Sequence, residues 1–523
     1  MIVVKETLNK INMGTKLFIL AIVFLPFTNF RMDFPFVGSI LSKVFILAGI
    51  VLYMLKVTNK KVEVTYFEKF FAFYLFIFFL WQCLCTLVGI LEYDYFSQLS
   101  LEQMDKLRFL LQSLRENGLY VSDVAAIKIW LALRFLKDCF SNVIFSYGTT
   151  LWVFHLFNRT RTNHNTTSSA NYCHLNTGIT VLCLLMITYS IIEVGYLTGN
   201  ITCANILAHI NPLFYTIKQN HGWWPPLLWQ NQLRSLFIEP SYFGIISVII
   251  TPVLIFNIFD QRNKVYVHWF YVLIFYAFAV MIFLARARTA TILFAGQIML
   301  FILFVFIYKR IYIKILFHII FVALLSFGTS LYIISSFQVI DLNMGTAKVA
   351  NIQADTTSYV SDNITSAIGN ARSNIARFAN VRATFMTGFH HPLFGVGRGL
   401  LAAYVKANFT AEDLTNYEVR NWLQYSEEEG VLKASFPVLN QFSGVMATFG
   451  VIGLLLYLLP MLYIPIKLFR ILKQGMDLEV ACLTIGIVAS VVAMFSNSAF
   501  LPYYILMGIL FAYKNSMVVN KTK

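Results

Sequence analysis

Charged residues are scarce in this sequence. Only 12% of its 523 residues are Asp, Glu, Lys or Arg, whereas 58% are hydrophobic and 16% are aromatic, and the mean hydropathy is +0.68. A soluble domain carries about 25% charged residues and roughly 45–50% apolar ones. The shortage of charge therefore excludes a chain built from water-soluble globular domains.

The usual signatures of metal and nucleotide chemistry are also missing. The seven cysteines stand singly, mostly in or near apolar segments, apart from Cys83 and Cys85, and their spacing is not that of metal ligands. No Walker motif, HExxH motif, nucleophile elbow, heptad run or internal repeat occurs. We therefore expect neither a metal site nor a cofactor.

What the sequence does contain is a series of long apolar runs. Runs such as 236–259, 266–284 and 290–308 reach the roughly 20 residues that a helix needs to cross the hydrocarbon core of a membrane. They lack the apolar/polar alternation of a barrel strand, so they predict helices. The predicted fold class is all-α, a polytopic membrane protein with about 12 transmembrane helices. The predicted spans are 17–30, 36–55, 67–91, 130–157, 177–197, 236–259, 266–284, 289–308, 311–334, 441–466, 479–496 and 498–513.

The basic residues predict the orientation. The net charge of +15 would suggest nucleic acid as a partner of a soluble protein, but here Lys and Arg cluster in the breaks on one side of the predicted spans. The positive-inside rule makes that side cytoplasmic, so no nucleic-acid partner is expected. The chain then divides into residues 1–334 with the first nine spans, a large external loop at 335–440, and residues 441–523 with the last three spans and a cytoplasmic C-terminus.

The large loop has a basic half and an acidic half. Residues 363–411 carry five Lys and Arg residues and no acid, whereas 412–429 carry six acids and one base. Arg382 shares the spacing of an amphipathic helix face with Ile368, Ala371, Ile375, Phe378 and Phe385. A half-buried guanidinium on that stripe needs a partner. The partner is either an acid of the following segment or a bound anion such as a phosphate, which suits the planar fork of Arg.

Two more basic positions lie on the predicted outer side. Arg286 and Arg288 occupy the short turn between the seventh and eighth spans. They are either anchors at the membrane interface or ligands of a phosphorylated lipid headgroup.

The start of the sixth span also combines charge with helix signals. Arg234 precedes Glu239 and Pro240, and Pro fits the first position of a helix while Glu suits its positive end. Glu239 is thus either a helix cap or a functional carboxylate. Further along, His391 precedes Gly395, Gly397 and Gly399, a glycine-rich turn whose N–H groups could approach a ligand, which on its own is a weak signal.

Together these segments resemble the Wzy-type O-antigen polymerases, a branch of the O-antigen polymerase/ligase superfamily. The resemblance spans the whole topology but rests on short motifs. The motifs are Arg234…Glu239-Pro240-Ser241, Arg286-Ala-Arg288-Thr, His391-Pro-Leu-Phe-Gly395-Val-Gly397 and Asn440-Gln-Phe…Gly450-Val-Ile-Gly453.

The resemblance implies a function. Such proteins are metal-independent glycosyltransferases with a GT-C-like fold in the bacterial inner (cytoplasmic) membrane, and their active site faces the periplasm. They move a growing glycan from undecaprenyl pyrophosphate onto a lipid-linked repeat unit. The expected partners are lipid-linked oligosaccharide repeat units, membrane lipids and a chain-length regulator of the Wzz type.

The resemblance also suggests roles for residues of this chain. The candidate catalytic residues are Glu239, His391, Arg286 and Arg288, with Glu239 or His391 as the proton acceptor. The candidate ligands of the pyrophosphate are Arg234, Arg286, Arg288, Arg382 and Arg398.

Three alternatives remain open at this point. An O-antigen ligase would transfer the glycan to lipid A-core, but ligases carry a His-containing motif where this chain reads Leu439-Asn440, and a Glu that is absent before Gly450. A lipid-linked oligosaccharide flippase or another transporter would favour charges within the spans, where Lys43 and Glu193 are the few candidates. A non-enzymatic assembly protein would not require basic residues at several external positions.

Overall fold

The fold is taken from a computed structural model of the chain. It describes residues 12–34, 36–59, 63–92, 104–162, 169–215, 231–260, 263–308, 313–341, 348–351, 372–430, 436–472 and 477–513. Ile368 and Ala371 of the predicted helix stripe lie outside these residues.

Helices dominate the described residues. They are α1 (Met13–Val23), α2 (Leu41–Thr58), α3 (Tyr66–Glu92), α4 (Asp105–Glu116), α5 (Asp123–Val143), α6 (Thr149–Thr162), α7 (Ser169–Leu197), α8 (Ile201–Phe214), α9 (Pro240–Phe259), α10 (Val265–Leu284), α11 (Arg288–Tyr308), α12 (Ile313–Ser335), α13 (Arg372–His390), α14 (Leu401–Lys406), α15 (Tyr417–Glu429), α16 (Gln441–Leu472), α17 (Leu478–Ala493) and α18 (Leu501–Ala512). A small antiparallel hairpin pairs β1 (Gln338–Asp341) with β2 (Lys348–Asn351).

The predicted all-α, polytopic membrane fold is confirmed. Among the described residues, eight helices are long and apolar enough to cross a membrane, namely α2, α3, α7, α9, α10, α11, α12 and α16. Helices α1, α8, α17 and α18 are apolar but shorter. The total of twelve spans and the GT-C-like arrangement stay predictions.

The predicted fourth span, 130–157, is interrupted by a π turn and by a kink at Ser146, whose φ of −102° and ψ of −106° are not helical. Helix α5 continues through the π turn Ile144–Gly148 into α6. Lys137 and Asp138, which interrupt its hydropathy, form an ion pair with each other at 3.6 Å and are about half exposed. A π turn inside an α-helix is often found at a functional site, and this one lies beside the cavity described below.

Two of the basic breaks meet at one end of the bundle, which we call the basic end. Lys56 near the end of α2 donates to Asn12 before α1 at 3.4 Å, and Lys467 of α16 donates to the carbonyl of Phe511 at the end of α18. The ring of Phe67, at the start of α3, lies 5.8 Å from that of Phe511. This arrangement agrees with the predicted grouping of the basic breaks. We call the opposite end, where α16 begins beside the C-terminus of α17, the loop end.

Helix α9 is the central helix of the bundle. All of its residues from Phe243 to Phe259 are buried, and it packs against α10, α11 and α17. Its first residue, Pro240, lies at the loop end and follows Glu239 directly. The core of the bundle therefore fixes the position of this carboxylate.

Candidate functional site

A cavity of about 680 Å³ opens at the loop end of the bundle. Its wall is formed by the starts of α2, α9, α16 and α18, by the π turn after α5, and by Arg398 of the large loop. The elements that meet here come from every part of the chain, so no local sequence pattern could locate the cavity.

Two cationic side chains line this cavity, Lys43 of α2 and Arg398. None of the described lining residues is Asp or Glu. The ammonium of Lys43 lies 5.0 Å from the centroid of the Phe145 ring, and the buried hydroxyl of Ser42 has no hydrogen-bond partner among the described residues. Two cations with no carboxylate among the described lining residues favour a bound anion.

Arg398 is held in the cavity wall by the glycine-rich turn. Val396 N–H donates to the carbonyl of Ala447 at 2.9 Å, and Gly397 N–H donates to that of Thr448 at 3.0 Å. A Cβ on Gly397, where φ is +84°, would lie 3.0 Å from the Cα of Thr86. Because these N–H groups already bind protein carbonyls, the interpretation of this turn as a ligand-binding loop is wrong. The glycines allow the loop to pack between α3 and α16.

The glycine-rich turn also packs against α16 at Gly450, where that helix is broken. Gly450 has φ +69° within the helix, and a Cβ there would lie 2.1 Å from the carbonyl oxygen of Leu393. Val451 N–H donates to the carbonyl of Pro392 at 2.8 Å. The segment His391–Gly397 and the Gly450 motif, both part of the family resemblance, therefore form one packing unit.

Glu239 lies next to the cavity. Its neighbours Ile238 and Tyr242 both line the wall. The carboxylate accepts a hydrogen bond from the Ser241 hydroxyl at 2.7 Å, and its side chain makes no capping hydrogen bond to α9. Glu239 therefore occupies the N-cap position predicted from the sequence, directly before Pro240, but its carboxylate makes no capping hydrogen bond.

His391 has a different environment. It is absent from the described cavity wall, and its ring packs edge-on against that of Tyr404 with 4.9 Å between the centroids. Burial and the neighbouring His390 lower the pKa of His391, while Glu92 acts in the opposite direction. The imidazole is therefore neutral at neutral pH.

Arg234 is fully enclosed by protein. Its guanidinium donates to the Tyr189 hydroxyl, to the Asn211 side chain at 2.8 Å and to the Phe237 carbonyl at 2.7 Å. Glu193 of α7 accepts from the backbone N–H of Arg234 at 2.9 Å. This predicted pyrophosphate ligand thus supports the segment that leads to Glu239 and does not line the cavity.

We expect Arg234→Ala to lower the free energy of unfolding by about 3–5 kcal/mol, because Glu193 would remain buried after losing its cationic neighbour. Lys406→Ala is the matched control, because Lys406 and Glu427 form an exposed ion pair whose loss should cost about 0–1 kcal/mol. Chemical denaturation in mixed micelles measures both. An Arg234→Ala protein as stable as wild type but inactive would make Arg234 a ligand of the substrate after all.

Arg382 forms an ion pair with the acidic segment, one of the two alternatives that its sequence context left open. Its guanidinium binds the carboxylate of Asp413 and donates to the Thr410 hydroxyl at 3.1 Å. The expectation that its helix stripe is buried is wrong, however, because Ile375 and Phe378 are exposed. The opposite face of α13, rich in Ala, is the buried one, since small residues allow close packing against the neighbouring helices.

Arg286 and Arg288 lie together at the loop end, away from the described cavity wall. Arg286 has φ +48° and donates to the carbonyl of Asn231 at 3.4 Å. Arg288, the first residue of α11, donates to the side chain of Asn374 at 3.1 Å. Both are half-buried. The segment from Asn231 to Glu239 therefore connects this arginine pair with the edge of the cavity.

Lys43, which lines the cavity, was not among the site residues predicted from the sequence. Because it lies in an apolar run, the sequence suggested it only as a charged residue of a transporter pathway. Its charge sits beside Arg398, a residue from the other end of the chain. The signal available in the sequence is the presence of a lysine inside a span, since such residues are costly and usually functional.

Comparison with known proteins gives one family match. The family described as O-antigen ligase matches residues 272–458, which is less than half of the chain. The matched part runs from α10 to the middle of α16 and contains Arg286, Arg288 and Arg398. The comparison with curated proteins found no match. The family match supports a place in the O-antigen ligase/polymerase superfamily, whose members are glycosyltransferase-like enzymes.

Proposed function

We propose that this protein is an O-antigen polymerase. It transfers the growing glycan from undecaprenyl pyrophosphate onto an undecaprenyl-pyrophosphate-linked repeat unit at the periplasmic face of the bacterial inner membrane. The observation that carries the proposal is the cavity at the loop end, whose wall includes Lys43, Arg398 and Ile238, the residue directly before Glu239.

The two cations suit the leaving group of this reaction. When the bond between sugar and pyrophosphate breaks, negative charge develops on the phosphate oxygens, and fixed cations stabilise it most effectively in a site of low dielectric constant. Arg398 supplies the planar fork and Lys43 a point charge. In this proposal cationic side chains do the work of a metal ion, and no cofactor takes part.

Arg286 and Arg288 form a second cationic position in the proposal. They lie at the loop end, where a lipid-linked pyrophosphate would arrive from the membrane, and they contact Asn231 and Asn374. Arg234 and Arg382 take supporting roles, since protein groups engage both guanidinium groups.

Glu239 is the better candidate for the proton acceptor. A general base must lie within hydrogen-bond reach of the acceptor hydroxyl, and Glu239 is flanked by two residues of the cavity wall. His391 packs instead on Tyr404. We therefore assign His391 to the packing of the large loop and Glu239 to catalysis.

Asn440 supports polymerase over ligase. Its side chain caps α16 by accepting from the N–H groups of Phe442 at 3.0 Å and Ser443 at 2.9 Å. According to the resemblance, ligases place a His-containing motif here, and an Asn engaged in capping has no free base to offer. The ligase is the second candidate, because the matching family is described as O-antigen ligase. Lipid-linked repeat units, membrane lipids and a chain-length regulator of the Wzz type remain the proposed partners.

The proposal is tested with the purified protein in lipid nanodiscs and a synthetic undecaprenyl-pyrophosphate-linked repeat unit. Wild type should produce a ladder of longer glycans, and Glu239→Gln should lower the rate by about 100-fold or more, since general-base catalysis contributes 10²–10⁴. The amide retains the shape of the side chain and its acceptor for Ser241.

Glu412→Gln, on the exposed acidic half of the loop, is the matched control and should leave the rate unchanged. A ladder from Glu239→Gln at the wild-type rate would remove this residue from the mechanism. Transfer only to added lipid A-core, with no ladder, would favour the ligase.

A further inference from the structure

Helix α13 of the large loop presents its large apolar side chains to the outside. Phe378 is 75% exposed and Phe389 is 62% exposed. Ile375 and Met386 share this face of the helix, and exposed Leu393 follows just after the helix ends; we call these five apolar residues the α13 stripe. A contiguous exposed apolar surface of this kind marks an interaction site.

Helix α13 contacts a different membrane helix at each of its ends. Near its start, Asn374 accepts a hydrogen bond from Arg288, the first residue of α11. Just after its end, the carbonyl of Pro392 accepts from Val451, ten residues after the start of α16. Its 19 residues span about 28 Å. Helix α13 therefore links the loop end of α11 with the break in α16.

The depth of this contact is set by α16. Lys467 marks the basic end of that helix, and the ~30 Å of hydrocarbon corresponds to about 20 helical residues. The break at Gly450 lies 17 residues upstream of Lys467, about 25 Å along the helix, and there Val451 donates to the carbonyl of Pro392 at 2.8 Å. Leu393 and the end of α13 therefore lie close to the outer boundary of the hydrocarbon, just inside it.

The α13 stripe is also continuous with the lipid-facing side of α16. Below the break, α16 exposes Val451, Ile452, Leu455, Leu459 and Leu462, as a membrane span does toward lipid. Leu393, at the end of the stripe, directly adjoins this surface through the bond between Pro392 and Val451. The lipid that covers this side of α16 can therefore also cover the exposed face of α13.

We propose that α13 is an interfacial helix whose stripe is immersed in the acyl chains of the outer leaflet. Its polar and small residues pack on the protein, its apolar residues enter the lipid, and Arg382 with Asp413 remains at the headgroup level. The large loop is thereby attached to the membrane surface, and the turn that carries Arg398 follows directly after the attached helix. This inference is independent of the proposed glycosyl transfer.

Spin labels test the proposal in the full-length protein. The seven native cysteines are replaced, and single cysteines are introduced as Phe378→Cys and Phe389→Cys, with Met386→Cys as a second reporter of the same stripe should either variant fail to fold. Glu427→Cys, on the exposed side of α15, is the matched control. Each nitroxide is measured in phosphatidylethanolamine/phosphatidylglycerol nanodiscs for collision with O₂, which concentrates in lipid, and with a water-soluble nickel chelate.

We expect the ratio of O₂ to nickel accessibility to be several-fold higher at the stripe positions than at Glu427. Equal ratios would place the stripe in water and overturn the proposal. Labels shielded from both reagents would mean that protein, such as a second copy of this chain, covers the stripe. A high ratio that appears only after undecaprenyl phosphate is added would assign the stripe to the substrate's prenyl chain, which also contradicts the proposal.

Discussion

Removal of the positive charge at Lys43 or Arg398 is expected to lower glycan transfer by about 100-fold or more for each residue, the usual effect of deleting one stabilising group in a polar active site. Both side chains line the same cavity, and none of its described lining residues is acidic. Lys43→Met and Arg398→Met keep much of the side-chain length but remove the charge. The rate of ladder formation in nanodiscs measures the effect.

The control is Lys406→Met in the same loop, where the lysine pairs with Glu427 at the surface. It should transfer at the wild-type rate, because an exposed ion pair contributes little. Arg398→Lys should recover only part of the activity, since an ammonium cannot replace the two-pronged contact of a guanidinium with phosphate. If both Met variants were active while Arg286→Ala was not, the pyrophosphate would bind at the arginine pair and not in this cavity.

The membrane fold could be predicted from the sequence because its signal is local. A run of apolar residues such as 240–259 defines a helix by its own length and composition. The stripe on α13 shows what this local signal cannot predict, namely which face of a helix is buried. Periodicity identified correctly that Ile375, Phe378 and Arg382 share a face, but it assigned that face to the protein interior. Only the neighbours of a helix decide which face is covered, and in a membrane protein lipid is one of those neighbours.

The candidate site was predictable only in part for the same reason. Arg398 and Glu239 carry chemistry in their residue types, and the cavity wall contains Arg398 and Ile238, the residue directly before Glu239. The enclosure of Arg234 depends on Tyr189, Glu193 and Asn211, which come from two other helices. A sequence does not reveal such partners, so an arginine that supports the fold looks the same as one that binds a phosphate.

Deletion of this protein should leave surface lipopolysaccharide with a core that carries a single repeat unit. Without a polymerase, repeat units are still assembled, exported and joined to the core, but they are not extended. Without a ligase, the core stays bare and polymer remains on undecaprenyl pyrophosphate. Gel separation of lipopolysaccharide from a deletion strain distinguishes the two patterns, and a strain that expresses the protein again is the control.

The capping role of Asn440 leads us to expect the single-repeat pattern, because its side-chain amide makes three hydrogen bonds within the fold, with Phe442, Ser443 and Phe495. Asn440→His would test this argument directly. The variant loses the side-chain cap of α16 and carries an imidazole at the position where the ligase motif has a histidine. A bare core in the deletion strain would overturn the polymerase proposal. The cavity would keep its role in that case, since both reactions release the same pyrophosphate between Lys43 and Arg398, and only the acceptor sugar would differ.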